Sequence, residues 1–337
     1  MSFNLNRRSV LAGLGASTAL ATMGSSASAQ ASAVRIGTSS VGSVFYTLAV
    51  GAGEIIRDFA SINTTIEPVG GSAANVNGIG RGDIDLAIAN SFSSFIGYTG
   101  TYAFPAPIDL RLVMQGHPSY RAMFVREGSG IESPADLNGK TIIGERRPLP
   151  ELRLIMDAMI QHYGLDASSI NVVSTTNSGE TLDAIRAGSV DAIIMPFSPK
   201  TAQIEEPMRD GVMKFMPIAE ADRDALLELL PSAFYGVTQP ANDFSNQPEA
   251  VSLLSLNTYM IGSPELDEET VYQIAAAMYG NNEKFITYHA TARAWTAERA
   301  VQNFALPFHD GVIRYLTEVG LWGTEEEARQ QRLLDLV

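Results

Sequence analysis

The sequence predicts an α/β fold in two similar lobes, and three observations carry that expectation. Short apolar runs alternate with helical patterns from residue 34 onward, the order that builds a mostly parallel sheet flanked by helices. The stretch Gly80-Arg81-Gly82-Asp83-Ile84-Asp85-Leu86-Ala87-Ile88 returns as Arg186-Ala187-Gly188-Ser189-Val190-Asp191-Ala192-Ile193-Ile194, a short correspondence that suggests two lobes built alike. The 337 residues are about twice the ~150 of a domain prior. With 45% hydrophobic residues, 29 Gly and 16 Pro, the composition excludes a disordered or collagen-like chain.

The chain opens with Arg7-Arg8, an apolar stretch from Val10 to about Met23, and small-residue patterns at Ala27-Ser28-Ala29 and Ala31-Ser32-Ala33. This reads as an export signal over residues 1–33, cleaved within 29–33, and the arginine pair resembles the twin-arginine type. The apolar stretch falls short of the roughly 18 residues of a spanning helix, so a protein free in the periplasm is expected after cleavage, not embedded in the membrane. The formal charge is -14 from 23 Lys and Arg against 37 Asp and Glu. Losing Arg7 and Arg8 with no acid takes it to -16. Such a balance argues against nucleic acid or an anionic membrane as partner, but not against a small anion held by one local cation.

Val34 to Gly37 reads as the first strand, Thr38 to Ser43 as a small polar loop, and Val44 to Phe59 as a helix in which Gly51 and Gly53 lower the propensity. Thr64 to Val69 is a strand, Gly70 to Asn75 a loop and helix start, and Ile84 to Ala89 a strand ending at Asn90-Ser91. Leu110 to Met114 and Ala122 to Val125 read as two strands separated by Gly116-His117-Pro118-Ser119.

The unit then begins again: Thr141 to Gly144 as a strand, a loop Glu145 to Pro150, and a helix from Glu151 to His162. Ile170 to Ser174 and Val190 to Met195 read as strands with a helix at Glu180 to Arg186 between them. A helix near Thr201 to Arg209, a strand Val212 to Pro217 and a helix about Asp222 to Leu230 follow. From Ser252 a strand runs to near Met260, then a helix from Glu268 to about Tyr279 and a C-terminal helical tail. The expected division is lobe one at 34–126 and 240–337, and lobe two at 127–239, with two crossovers as a hinge.

Enzyme chemistry finds little support. The run Gly37 to Gly42 lacks the G-x-G-x-x-G spacing, no P-loop or G-x-S-x-G elbow occurs, and there is no Cys and no H-E-x-x-H among four His. No cofactor and no metal are expected. What remains is recognition by polar groups at strand ends, where loops converge on one cleft and hydroxyls, amides and backbone N–H groups can bind a carboxylate. The candidates are Thr38, Ser39, Ser40, Ser43 and Tyr46, then Gly71, Ser72 and Asn75, then Asn90 and Ser91. Ordinary capping accounts equally for single members. Phe197 and Ser198, with Phe234 and Tyr235, read either as core or as an apolar wall of the pocket.

The runs Ile36 to Tyr46, Gly70 to Asn75 and Gly82 to Ser91, continued by Asp136 to Gly144, Gly188 to Ala192 and Val271 to Ile274, resemble the TAXI family. These are solute receptors of tripartite ATP-independent periplasmic (TRAP) transporters, and the resemblance covers essentially the whole mature chain. It implies a two-lobed periplasmic binding protein fold of type II-like architecture. It further implies a receptor that closes on a small organic acid or amino acid and delivers it to membrane subunits driven by an ion gradient, with no bond made or broken; apart from the resemblance, a monomer is expected. The ligand-facing residues it implies are Thr38, Ser39, Ser43, Tyr46, Ser72, Asn75, Asn90 and Ser91. A sensor of the same architecture with a membrane signalling partner is the alternative. The sequence departs from the family after Gly144, where Glu145-Arg146-Arg147 stands in place of a small polar loop. Arg146 or Arg147 can grip a carboxylate there, or pair with acids at the rim.

Overall fold

Residues 33–147, 149–199 and 201–337 are described by the structure, a computed structural model. The expected export signal lies, up to residue 32, outside the described residues. Strand β1 (Val34–Thr38) leads into helix α1 (Val44–Ala60), followed by β2 (Thr64–Pro68), α2 (Ser72–Gly80), β3 (Leu86–Asn90) and α3 (Ser91–Thr99). Helix α1 starts where the Ser43 hydroxyl accepts the Tyr46 N–H at 3.2 Å, a side-chain cap on an otherwise unpaired donor. It buries Leu48, Ile55 and Ile56 and ends at Ser61, whose φ is 57°. Gly51 is more than a weak helix former here: a Cβ would stand 2.7 Å from the Tyr288 ring, so the glycine lets the C-terminal segment pack close.

The chain continues through β4 (Arg111–Arg126), β5 (Thr141–Arg146), α4 (Glu151–Tyr163), β6 (Asn171–Thr175), α5 (Ser178–Arg186) and β7 (Ala192–Phe197). Then come α6 (Ala202–Arg209), β8 (Met213–Phe215), α7 (Glu220–Glu228), β9 (Tyr235–Gln239), β10 (Val251–Gly262), α8 (Glu268–Gly280), α9 (Asn282–Ile286), α10 (Ala297–Ala300), α11 (Asp310–Glu318) and α12 (Thr324–Leu334). The strands form one mixed sheet in the order β2-β1-β3-β10-β4-β7-β5-β6, with β8 beside β4 and β9 beside β10. Pairing is parallel on both flanks and antiparallel along β10 and β4 in the middle. The expected parallel units therefore hold, each half ending on a long antiparallel strand.

One expectation is corrected at that centre. The two strands read on either side of Gly116-His117-Pro118-Ser119 are a single 16-residue strand, β4. Pro118, which cannot donate to a ladder, pairs with Asn257 next to a register shift between Asn257 and Tyr259, where an irregularity spares the missing N–H. Gly116 is required by packing, because a Cβ there would meet the Trp295 ring at 2.0 Å. Two elements were not expected from the sequence, α3 and β9.

An apolar core runs from Ile36, Leu48, Ile88 and Met260 to Met156 and Ile194, and takes in Phe285 and Trp295. A second cluster on the other face of β5 and β7 holds Phe124, Ile143, Phe197, Phe215 and Phe244. Each fully buried apolar side chain contributes about 1.5–3 kcal/mol. The burial of Trp295 shows that residues past α9 are part of the core rather than an appended tail.

Candidate functional site

The polar candidates of the first half sit at the ends of β1 and β3 and the start of α2. Most of them are engaged in holding those ends together. Ser72 Oγ accepts the Asn90 N–H at 3.0 Å, and Asn90 Oδ1 accepts the Ser93 N–H at 2.7 Å as the cap of α3. Ser91 Oγ accepts the Asn257 N–H at 3.0 Å, which fastens the start of α3 to β10. Asn75 Nδ2 donates to the Ile88 carbonyl at 2.7 Å. The buried Thr38 Oγ1 and Asn75 Oδ1 have no hydrogen-bond partner; a buried unpaired acceptor costs free energy and calls for an explanation. Ser39 and Tyr46 are partly exposed beside them.

In the second half, Arg146 ends β5 and is 4% exposed. Its Nη1 donates to Ser178 Oγ at 3.0 Å and its Nη2 to Thr181 Oγ1 at 3.1 Å, both at the start of α5, while Nε has no partner. Among the described residues no carboxylate pairs with it. Burial, and then the charge of Arg121, pushes the guanidinium down to about 10. Arg147 is exposed, and its backbone N–H donates to the Thr175 carbonyl at 3.4 Å. Arg121 is the opposite case to Arg146: its Nη2 meets Glu151 Oε1 at 2.7 Å and its Nη1 donates to Ser119 Oγ at 2.7 Å. A cavity of about 20 Å³ behind Arg121 has room for one water and not for a solute.

Phe197 is 4% exposed and packs edge-on against Tyr120 and Phe124, with ring centroids 5.6 Å away in both cases. Ser198 is partly exposed just beyond it. Phe234 is buried against Phe92 at 5.8 Å.

Between the two groups lies a network that the sequence reading missed. Tyr235 Oη donates to Asn257 Oδ1 at 2.7 Å, and Asn257 Nδ2 donates to Gln115 Oε1 at 3.0 Å. Arg299 Nε donates to the Gly116 carbonyl at 2.7 Å, and its Nη2 to Asn257 Oδ1 at 2.8 Å and Tyr235 Oη at 3.2 Å. Burial and the neighbouring Tyr235 raise the Tyr120 phenol, and Arg299 pulls it back, so Tyr120, Tyr235 and Arg299 share one neighbourhood. Beside them His117 bridges Trp295 Nε1 at 3.4 Å and Thr258 Oγ1 at 3.3 Å. Its imidazole is held down to about 3, mainly by burial. Arg299 lies in a short helix with no local motif to mark it, so only the fold exposes its position.

The arrangement offers hydroxyls and amides near strand ends and a guanidinium, Arg146, at the end of β5, groups of the kind that hold an anion. Among the described residues no group of three His, Asp or Glu stands close enough to hold a metal ion, and none of their helices is long and apolar enough to cross a membrane.

Comparison with known proteins accords with the fold. The family model described as NMT1-like family matches residues 36–320. Among solved structures, PhnD1 of Prochlorococcus marinus in complex with methylphosphonate is similar at 11% identity and TM-score 0.53, covering 78% of this chain and 91% of its own. XAC2383 of Xanthomonas citri bound to ATP is similar at 11% identity and TM-score 0.51, with 90% and 98% covered. MatC of Rhodopseudomonas palustris with bound malate is similar at 13% identity and TM-score 0.50, with 89% and 98% covered. At these identities the likeness shows the fold: an α/β periplasmic-binding-protein-like architecture with a mixed sheet and flanking helices.

Proposed function

The chain belongs to the NMT1-like family, and from that premise we propose that it is a periplasmic solute-binding receptor for a small organic acid. The carrying observation is Arg146, a guanidinium 4% exposed with only hydroxyl partners and a free Nε. Glu151 and Glu180 act on it only at a distance, neither in an ion pair with it among the described residues; a buried cation so weakly compensated is costly, and an anionic ligand would supply further charge. The similar structures described with methylphosphonate, malate and ATP add support, since each of those ligands is an anion.

In this reading residues 34–126 and 240–337 form one lobe and 127–239 the other. The strand order favours it: β2, β1 and β3 lie on one side of β10 and β4, and β7, β5 and β6 on the other. Contacts from both lobes would stabilise a closed state over an open one, so ligand shifts a hinge equilibrium. Thr38, with its unpaired Oγ1, is the first-half contact we favour, and Ser39, Tyr46 and Ser198 complete the rim. The partner in transport is proposed to be the membrane subunits of a TRAP transporter, reading closure as a surface made by both lobes.

The test is mass spectrometry of solute released from denatured protein purified from its native periplasm, followed by calorimetry with that solute. An organic acid whose affinity falls at least about tenfold in Arg146→Ala, and little in Arg147→Ala, is the expected result. A cationic or uncharged solute, or unchanged affinity in Arg146→Ala, would sink the proposal.

A further inference from the structure

The two flanks of the sheet hang on different ends of the ladder between β4 and β10. Strand β3, with β1 and β2 behind it, pairs with residues 258–262 of β10, whereas β7, with β5 and β6 behind it, pairs with residues 120–125 of β4. Strand β9 joins the second group, since it pairs with residues 251–255 of β10. Between the two attachments the ladder is interrupted. Gln115 faces Tyr259 and Pro118 faces Asn257, so Gly116 and His117 together stand opposite Thr258. Two residues against one make a bulge, where a strand bends and its twist increases. A change of bend there moves one flank relative to the other.

Both bulged residues are held by one segment of the C-terminal chain. Arg299 Nε donates to the Gly116 carbonyl at 2.7 Å, and Trp295 Nε1 meets His117 Nδ1 at 3.4 Å. Across the bulge, His117 Nε2 lies 3.3 Å from Thr258 Oγ1. Gln115, just before the bulge, donates to the carbonyls of Arg299 and Gln302 at 2.7 and 2.6 Å, so the backbone that carries the guanidinium is fastened on the side of the first flank. The far end of the guanidinium reaches the other group. Arg299 Nη2 donates to Tyr235 Oη at 3.2 Å, and that phenol, on the first residue of β9, donates to Asn257 Oδ1 at 2.7 Å. Arg299 therefore bridges the bulge. A hydrogen bond from a charged donor is stronger than a neutral one, and a bend that carries β9 away from Gly116 gives it up.

We propose that the bulge at Gly116 and His117 is the hinge between the two halves, and that Arg299 is a positioning residue that sets the balance between their arrangements through Tyr235. The proposal rests on the two-lobe part of the reading above and adds where the chain bends and what holds it. The sequence contains no Cys, so Asn77→Cys on α2 and Asp183→Cys on α5, both at exposed positions, put one spin label on each half. Pulsed electron paramagnetic resonance then reads the distance distribution between the halves with no solute added. Tyr235→Phe, which takes away only the hydroxyl, and Arg299→Gln should each move the ratio of the distance populations about tenfold from that of the labelled parent. Arg299→Lys should move it less. Tyr98→Phe is the control: it removes a hydroxyl that donates to the Leu333 carbonyl at 3.1 Å, a bond in which no residue of the bulge takes part, and it should leave the distribution unchanged. A distribution in Tyr235→Phe and Arg299→Gln identical to the parent's, or an equal shift in Tyr98→Phe, would overturn the hinge assignment. Because no solute enters the measurement, that result would leave the receptor reading standing. A released solute that is not an organic acid, with the distances shifting as expected, would remove the receptor reading and leave the hinge.

Discussion

Arg121 on β4 and Glu151 at the start of α4 form an ion pair 2.7 Å long whose side chains are 2% and 0% exposed. The pair ties the central strand to the first turn of a helix, and each member offsets the other's desolvation. Removing one partner leaves a buried charge with nothing to balance it. Glu151→Gln should therefore cost about 3–5 kcal/mol, read as a lower urea midpoint with unchanged slope. Replacing both, Arg121→Met with Glu151→Leu, should recover most of the loss. A single-mutant loss below about 1 kcal/mol would show that the pair is not the joint described here.

The second prediction concerns Gly116. A methyl group there would stand 2.0 Å from the Trp295 ring, within hard contact, and Trp295 is fully buried. Gly116→Ala should cost at least about 1–3 kcal/mol by overpacking and disturb the near-ultraviolet circular dichroism of Trp295. The strain should shrink when Trp295→Leu is added, giving a favourable coupling in a double-mutant cycle. Additive losses would show that the two do not press on one another.

Gly116 also shows where the sequence is hard to read. Gly-His-Pro-Ser is a turn by local chemistry, and the partner strand β10 and the distant Trp295 make it a strand. The flanking parallel units were legible because each carries its own period of strand, polar loop and helix. Of the candidates Ser43, Ser72, Asn90 and Ser91, only Asn90 ends a strand, while Ser43 caps α1 and Ser72 and Ser91 open α2 and α3, and much of their bonding capacity goes to caps and joints. Composition cannot separate a hydroxyl that caps from one that faces a ligand. Arg146 stood out as a cation where a small polar loop was expected, whereas Arg299 depends on contacts from β4, β9 and β10 that no local pattern encodes.

The third prediction is a pH dependence. His117 is buried between Trp295 and Thr258, and its imidazole is held down to about 3 from an ordinary 6.5, chiefly by desolvation and then by His289 and Arg299. Between those values the unfolded chain binds a proton that the folded chain refuses. The contribution is therefore fully present above pH 6.5 and is lost as pH falls toward 3. His117→Gln removes the titrating group, so its urea midpoint should fall less steeply than the wild type's across that window. Parallel slopes for the two proteins would show that His117 is not a source of acid sensitivity.

The last prediction sets stability against function at Arg146. Its guanidinium is pushed down to about 10 by burial and by Arg121, so at neutral pH the folded state holds a proton at a cost that the unfolded state does not bear. Above about 10, up to the ordinary range of an arginine, the unfolded chain binds more protons, and this group alone makes stability rise with pH there. At pH 7 the cost is present in full. Arg146→Met keeps the length of the stem, gives up the hydrogen bonds to Ser178 and Thr181, and removes a buried charge that Glu151 and Glu180 offset only at a distance. By analogy with apolar replacement of buried charges, the ligand-free variant should be more stable by about 1–3 kcal/mol, while its affinity for the released solute falls. Differential scanning calorimetry of the ligand-free proteins reads the first effect and titration calorimetry the second. A lower melting temperature in the variant would mean that the two hydroxyls already satisfy Arg146, which would remove the reason for expecting a ligand anion beside it.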